Sequence, residues 1–473
     1  MKTSKVSLVG SLIITSIGVL IGATLPWGPE LSLLDHRVLM ILLISVGLWV
    51  FKPFNIPFSM VSFFMLASFV VIGIPMTQVF SGFTTGAIWT MIPALLMGYI
   101  ILKTGLGNRI ALVILMQFKP SYRNLIFVLL STGIILSILT PSITVRVSIL
   151  MPVALSIATA CKIKGNSKEG ALILLTSMIV AMVPGTGWLT GSLYGPTTLG
   201  MFETVPELEG IITFSTWSKV NLLPATVITF VSIVVGYIIF RPKKALGISK
   251  ESFAKEYKKL GEVSFAEKKT AIILTLCFLF FLAGGLGIHQ IPNQAIVLGG
   301  VFLLAISGVV EQSDISNGIN WDFVIFVGSA MSLSGVFAEI GISGWIGSML
   351  VPALGHLTGS PWLLVYSVVI ILLIWRFFDI AFLTPTKAIL VPVLPLVSQE
   401  LGINPLLWVP IFVMVGNSFF LSYTNAFVLA GQSILGKDGW DSKQVNTYGL
   451  VYGLACLIAL AISIPYWMHL GLF

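Results

Sequence analysis

The chain has 473 residues, of which 56% are hydrophobic and 9% charged. Soluble globular proteins carry about 25% charged residues, so a water-soluble fold is excluded, and apolar runs near the ~20 residues that cross a bilayer recur along the whole length. The runs are continuous and not alternating, which excludes an outer-membrane barrel. The formal charge of +8 follows membrane topology, as the distribution of basic residues shows, so lipid and not nucleic acid is the expected partner. The three cysteines, Cys161, Cys277 and Cys456, have no paired spacing, and neither a disulfide framework nor a metal site is expected.

In chain order, apolar segments predict spans near 6–25, 37–51, 58–75 and 81–103, then a long block at 124–161. A broken span at 169–201 follows, then 218–240, 270–286, 293–310 and 322–352, a second long block at 362–399, a broken span at 405–435, and finally 445–471. The first run is long for a signal h-region and is read as a retained span. With the N-terminus placed in the cytoplasm, cytoplasmic segments hold 21 of the 26 Lys and Arg residues, nine of them between Arg241 and Lys269. Only Arg37 and Lys219 fall outside. This is the asymmetry of the positive-inside rule. It makes residues 241–269 a basic cytoplasmic linker, leaves the C-terminus extracytoplasmic, and places the chain in the inner (plasma) membrane.

That count closes only if the two long blocks do not cross. Arg123 and Lys162 bracket residues 124–161, and Thr140-Pro141-Ser142 splits the block into arms of about 16 residues, ~24 Å each at helical rise. Each arm is short for a ~30 Å hydrocarbon core, so a re-entrant helical hairpin with a polar tip is expected. Residues 362–399, with Thr384-Pro385-Thr386 inside, repeat the pattern from the opposite side. Non-helical backbone at that depth must line a cavity or be buried in protein.

Three anchors recur in order. Lys103-Thr104-Gly105-Leu106 matches Glu339-Ile340-Gly341-Ile342, the stretch Ser148–Val153 matches Ala388–Val393, and Ala181–Gly185 matches Val413–Asn417. Each repeat holds an odd number of spans, so the second is inverted relative to the first, the architecture of secondary transporters. The expected fold is an all-α polytopic membrane protein with about 11 transmembrane helices and two re-entrant hairpins in two inverted five-helix repeats. Residues 1–36 form an N-terminal helix and loop, 37–240 the first repeat, 241–269 the linker, and 270–473 the second repeat. After each hairpin a helix breaks, over Gly185–Ser192 and over Gly416–Asn425. The loop residues Gly185, Gly187, Asn417 and Ser418 offer backbone groups, and a candidate cation site, at the breaks.

At this point the chain resembles the divalent anion–sodium symporter family of the ion transporter superfamily. That family carries a Ser-Asn-Thr tip about ten residues before a proline in each hairpin. Counting back from Pro152 and Pro392 lands on Ser142-Ile143-Thr144 and Phe382-Leu383-Thr384. Both Asn positions are apolar and the second Ser is Phe. The resemblance implies a homodimer, each protomer having a scaffold and a moving part that carries substrate by an elevator movement.

Four ionisable residues lie inside the long blocks: Arg146, Arg376, Asp379 and Lys387. A basic side chain near the bilayer centre costs at least ~2.5–3.5 kcal/mol. Arg376 and Asp379 are three apart on one arm and are expected to pair. Arg146 and Lys387 have no acid of matching depth, and each sits just past its tip. Two cations facing one cavity suit a divalent anion, arginine as a fork and lysine as a point charge. Thr140, Ser142, Thr144, Thr190, Ser192, Thr384, Thr386, Thr424 and Asn425 would add neutral hydrogen bonds. No P-loop, zinc spacing or paired catalytic carboxylates appear, so no enzyme and no cofactor is expected. The expected function is transport of a small divalent organic anion such as a dicarboxylate, by exchange and without sodium. The alternatives are a sodium-coupled symporter of dicarboxylate, citrate or sulfate, and a channel-like or metalloid/oxyanion permease.

Overall fold

The computed structural model describes residues 5–23, 31–117, 121–140, 142–243, 250–357, 359–377, 379, 383–421 and 424–473. Pro141, Phe382, Ser422 and Tyr423, expected at the tips and in the second break, lie outside the described residues, as do Lys2, Lys119 and Lys244 of the basic count. Every regular element among the described residues is helical. Among the described residues, seven helices, against the expected 11 or so, are long and apolar enough to cross a membrane, or eight if the bent pair Gln312–Gly318 and Trp321–Phe337 is one span; both arms of the first long block, Tyr122–Leu139 and Ile143–Ala160, are among them. Side chains such as Phe230, Ile238, Ile371 and Leu450 remain exposed on the outside, as lipid-facing positions of a multi-pass membrane protein should.

Polar caps start most of the long helices. Ser32 and Asp35 form a capping box on Leu33–Phe51, Thr213 and Thr216 on Phe214–Ile239, Ser264 and Glu267 on Phe265–Gly285, and Asp441 and Gln444 on Ser442–His469. Each satisfies N–H groups that the helix itself leaves open. Gly105, at φ +78°, ends Gly86–Thr104 and lets Leu106–Gln117 leave at an elbow. The matched anchor at Ile340-Gly341 likewise separates Trp321–Glu339 from Ile342–Gly355. The span expected at 322–352 is therefore two helices.

The first long block forms Tyr122–Leu139 and Ile143–Ala160, of 18 residues each, capped by Ser121 and Ser142. These arms are two residues longer than expected, and both pack against Leu106–Gln117 and Lys168–Met182. The second block is less regular. Pro361–Trp375 is followed, after a turn, by Thr384–Leu390, a 3-10 turn at Val391–Val393, and Leu394–Leu401. Pro392 and Pro395 remove two donors in the body of that arm, where the matching arm Ile143–Ala160 of the first hairpin has Pro152 alone, and a helix that loses nearby donors breaks. Lys168–Met182 is buried from Gly170 onward and stops at Pro184–Gly187 before resuming as Tyr194–Glu203. Its counterpart is Trp408–Gly416 followed by Ala426–Leu435. The first and second halves of the chain are tied together by Phe214–Ile239, which packs along Ser442–His469.

The basic linker contains Lys250–Lys259, which lies on Leu106–Gln117. Arg109 clamps it there. Its Nε donates to Glu267 Oε1 at 2.6 Å, one Nη to Glu267 Oε2 at 3.2 Å, and the other to the carbonyl of Gly261 at 3.1 Å. Burial pushes the Glu267 carboxyl up, but hydrogen bonds from Arg109 and Ser264 outweigh it and leave its pKa below the usual range. A depressed carboxylate contributes stability that is present above its unfolded pKa and lost as pH falls through the folded one. Arg109→Ala is expected to lower the melting temperature at neutral pH, and its deficit against wild type should shrink on acidification. Melting curves of both proteins in detergent between pH 7 and pH 3 check this.

Candidate functional site

Arg146 is fully buried, one turn past the first tip. Among the described residues, its guanidinium is held by main-chain oxygens alone. The Nε donates to the Ala181 carbonyl at 2.7 Å, and one Nη to the carbonyls of Thr140 and Gly191, both at 2.7 Å. One side chain thus joins the hairpin tip, the end of the buried helix and the loop beyond its break. The other Nη has no hydrogen-bond partner among the described residues. Gly185 is required by this packing, because a Cβ there would stand 2.7 Å from that nitrogen.

The second repeat does the same with a different residue. Arg376 is fully buried, and its guanidinium donates to the main-chain carbonyl of Asp379 in the hairpin turn and to those of Ser418 and Thr424, at 3.1 and 2.8 Å, in the second break. The side-chain pairing expected between Arg376 and Asp379 is replaced by this arrangement, with the Asp379 carboxylate accepting from the Thr386 hydroxyl. Lys387, expected to be the counterpart of Arg146, is buried elsewhere. Its Nζ donates to Thr198 Oγ1 at 3.1 Å and reaches Thr197 Oγ1 at 3.5 Å, with the Tyr194 ring 5.8 Å away.

The remaining candidates divide by what they touch. Ser142 and Thr144, with Ser148 one turn further on, line a cavity of about 600 Å³ that also reaches Leu193, Phe323 and Phe427. Thr384 lines a small adjoining space that shares those three residues and adds Tyr194 and Thr197. The two tips therefore approach one region. Thr190 faces a different pocket, against Cys277 and Phe281. Ser192 is buried with its hydroxyl unpartnered among the described residues.

Four candidates hold the breaks in shape. Thr140 Oγ1 accepts the Ser142 N–H, Thr386 accepts from Trp375 Nε1, Thr424 Oγ1 donates to the Leu421 carbonyl, and Asn425 caps Ala426–Leu435 while donating to the Asn417 carbonyl. Gly187 lies in the first 3-10 turn, against Leu222. Asn417 donates to the Met182 carbonyl at 3.4 Å, joining the two broken helices, and its own Oδ1 is unpartnered among the described residues. Ser418 contributes its carbonyl to Arg376.

Sequence reasoning passed over Arg376 because an acid three residues away already explained it. It also passed over Thr197, Thr198 and Ser148, which carry no motif. The signal for Arg376 was available: both long blocks contain an arginine, and both are followed by a broken helix rich in exposed carbonyls. Among the described residues no group of three or more His, Cys, Asp or Glu side chains suits a metal ion.

Comparison with known proteins places the chain in a family. Residues 5–473 match the family described as sodium:sulfate symporter transmembrane region. The chain is 24% identical over 480 residues to the inner membrane protein YbhI of Escherichia coli K12, covering 98% of each chain. It is 22% identical to the L-tartrate/succinate antiporter of the same organism, covering 82% of this chain and 80% of that one. With the chloroplastic dicarboxylate transporter 1 of Spinacia oleracea it shares 26% identity over 62% of this chain and 52% of that protein. Among solved structures, the YdaH transporter of Alcanivorax borkumensis has the same fold, with a TM-score of 0.56 over 98% of both chains at 16% identity. The chain therefore belongs to the sodium:sulfate symporter family, the divalent anion–sodium symporters, and is a membrane transporter of that family.

Proposed function

We propose that this protein exchanges dicarboxylates across the inner membrane without sodium, the anion sitting between the two hairpin tips and crossing by an elevator movement of a homodimer. One observation carries the reading. Arg146, Arg376, Lys387 and Asp379 are each buried, and together they carry a formal charge of +2 that a dianion would cancel. Returning empty, the moving part would carry two uncompensated charges through a low-dielectric layer, where each costs at least ~2.5–3.5 kcal/mol. Return is favourable only when another dianion is loaded, and that is obligate exchange.

The same arithmetic argues against sodium. A cation co-bound with a dianion would leave the loaded centre positive. Among the described residues, the Thr140 and Asp379 carbonyls near the tips and those of Gly191, Ser418 and Thr424 in the breaks already accept hydrogen bonds from guanidinium groups, which would repel a sodium ion. The names of the relatives, a dicarboxylate transporter and a tartrate/succinate antiporter, support the substrate class and the exchange mode. Thr144 and Ser148 on one side and Thr384 on the other would hydrogen-bond the two carboxylates, with Lys387 as a point charge and the open Nη of Arg146 as a donor.

A thermal-shift screen of the purified protein tests this. A ligand at ~100 times its dissociation constant adds about 2.7 kcal/mol. The expected result is stabilisation by C4 dicarboxylates that is unchanged when sodium is replaced by potassium. Stabilisation by sulfate alone, or only in sodium, would overturn the proposal.

A further inference from the structure

The ~600 Å³ cavity has two kinds of wall. One is the tip and break region, represented by Ser142, Thr144 and Ala426; the other is Lys52, Phe58 and Asp322, and this second wall is a unit of its own. Phe326 meets Trp49 edge-to-face and Phe58 at a tilt of 32°, with centroids 5.0 and 4.8 Å apart. The Asp322 carboxylate accepts from the N–H groups of Phe58 and Ser59 and from the Ser59 hydroxyl, at 3.3, 2.8 and 2.6 Å. Its charge is shared between the start of Phe58–Val71 and Lys52 on the same wall, whose charged form it favours.

Among the described residues, Lys52 is the one basic side chain lining this cavity. Its ammonium sits 3.3 Å above the centre of the Phe58 ring, and among the described residues no carboxylate lies within ion-pair distance of it. The backbone that presents it is unusual. Lys52, Phe54 and Asn55 all have left-handed φ angles of 42–56°, a conformation that costs a non-glycine residue about 1–2 kcal/mol. A turn that glycine would form more readily instead carries a lysine aimed at the cavity.

We infer that Lys52 is a substrate-recruiting residue acting from one side of the membrane only. It stands on the wall packed around Phe326, opposite the tips that carry the substrate, and a dianion descending to Ser142 and Thr144 meets it in this conformation. When the tips move to the other face, Lys52 stays behind. The inference rests on the dicarboxylate-exchange and elevator reading above. By the distribution of basic residues, the face bearing Lys52 is the cytoplasmic one.

The test compares Lys52→Gln, Lys52→Arg and Phe58→Leu with wild type, using labelled succinate uptake by intact cells and by everted membrane vesicles. Lys52→Gln should raise KM for succinate about tenfold on the cytoplasmic face, the scale of one charge-assisted hydrogen bond, with KM on the other face changed less than twofold. Lys52→Arg should keep both values near wild type, and Phe58→Leu should give an intermediate, still one-sided rise. Equal rises on both faces, or none on either, with wild-type exchange intact would overturn the inference and leave the proposed function standing. If Lys52→Gln fails to fold, an unaltered cytoplasmic KM in Phe58→Leu overturns it in the same way. Absence of succinate exchange by the wild type would overturn both.

Discussion

Arg146→Met is expected to lower stability by about 3 kcal/mol or more and to abolish exchange. The guanidinium is the donor for three buried carbonyls, those of Thr140, Ala181 and Gly191. Methionine fills much of the volume but donates nothing, and each carbonyl left unpaired in the interior costs about 1–3 kcal/mol. Arg146→Lys should recover only part of this, because one ammonium cannot span three oxygens that a planar fork reaches. The tip, the buried helix and the loop beyond its break would then be free to move against one another. Thermal denaturation in detergent, read together with counterflow in proteoliposomes, checks both halves. Arg376→Met should behave alike, since its partners are the corresponding parts of the second repeat.

Lys387→Met should show the opposite combination, with stability unchanged or raised and exchange reduced about ten- to a hundredfold. The ammonium is buried against two threonine hydroxyls, which can turn to other partners once it is gone. Replacing a buried charge by an apolar residue of similar shape is often neutral or stabilising. The formal charge of the centre falls from +2 to +1, so residual transport should shift toward monovalent anions. Competition of unlabelled lactate and succinate against labelled succinate measures that shift. If Lys387→Met is instead as unstable as Arg146→Met, the lysine is a structural member of the fold and not a charge facing the substrate.

The helical architecture was largely legible in the sequence because a bilayer imposes one length scale and one polarity rule. Apolar runs, the Lys and Arg asymmetry and the two Thr-Pro interruptions mark helices, linker and breaks. The anchors at Gly105 and Gly341 mark elbows in the structure. What escaped was long-range hydrogen bonding by the main chain. Nothing in the residues near Arg376 reveals that its partners are the carbonyls of Ser418 and Thr424, more than 40 positions away, since every residue has a carbonyl and only the fold says which are open. Sequence spacing therefore paired Arg146 with Lys387, each just past a tip, where the structure matches Arg146 with Arg376 by what each holds. Thr190 was missed in the other direction. It shares a polar loop with Ser192, yet it faces another pocket, because a loop has no fixed periodicity from which side-chain direction can be read. The irregular second hairpin arm follows from Pro392 and Pro395 together, whose combined effect on one arm a hydropathy reading averages away.

Three fixed cations and one acid should make a dianion, and no other ion, the species that lets this carrier return. Counterflow of labelled succinate in proteoliposomes loaded with unlabelled succinate, with all sodium replaced by choline, tests it most directly. The account predicts rapid counterflow at the same rate with or without sodium, and negligible uptake into vesicles that contain no dicarboxylate. Net uptake into empty vesicles that rises steeply with external sodium would contradict it.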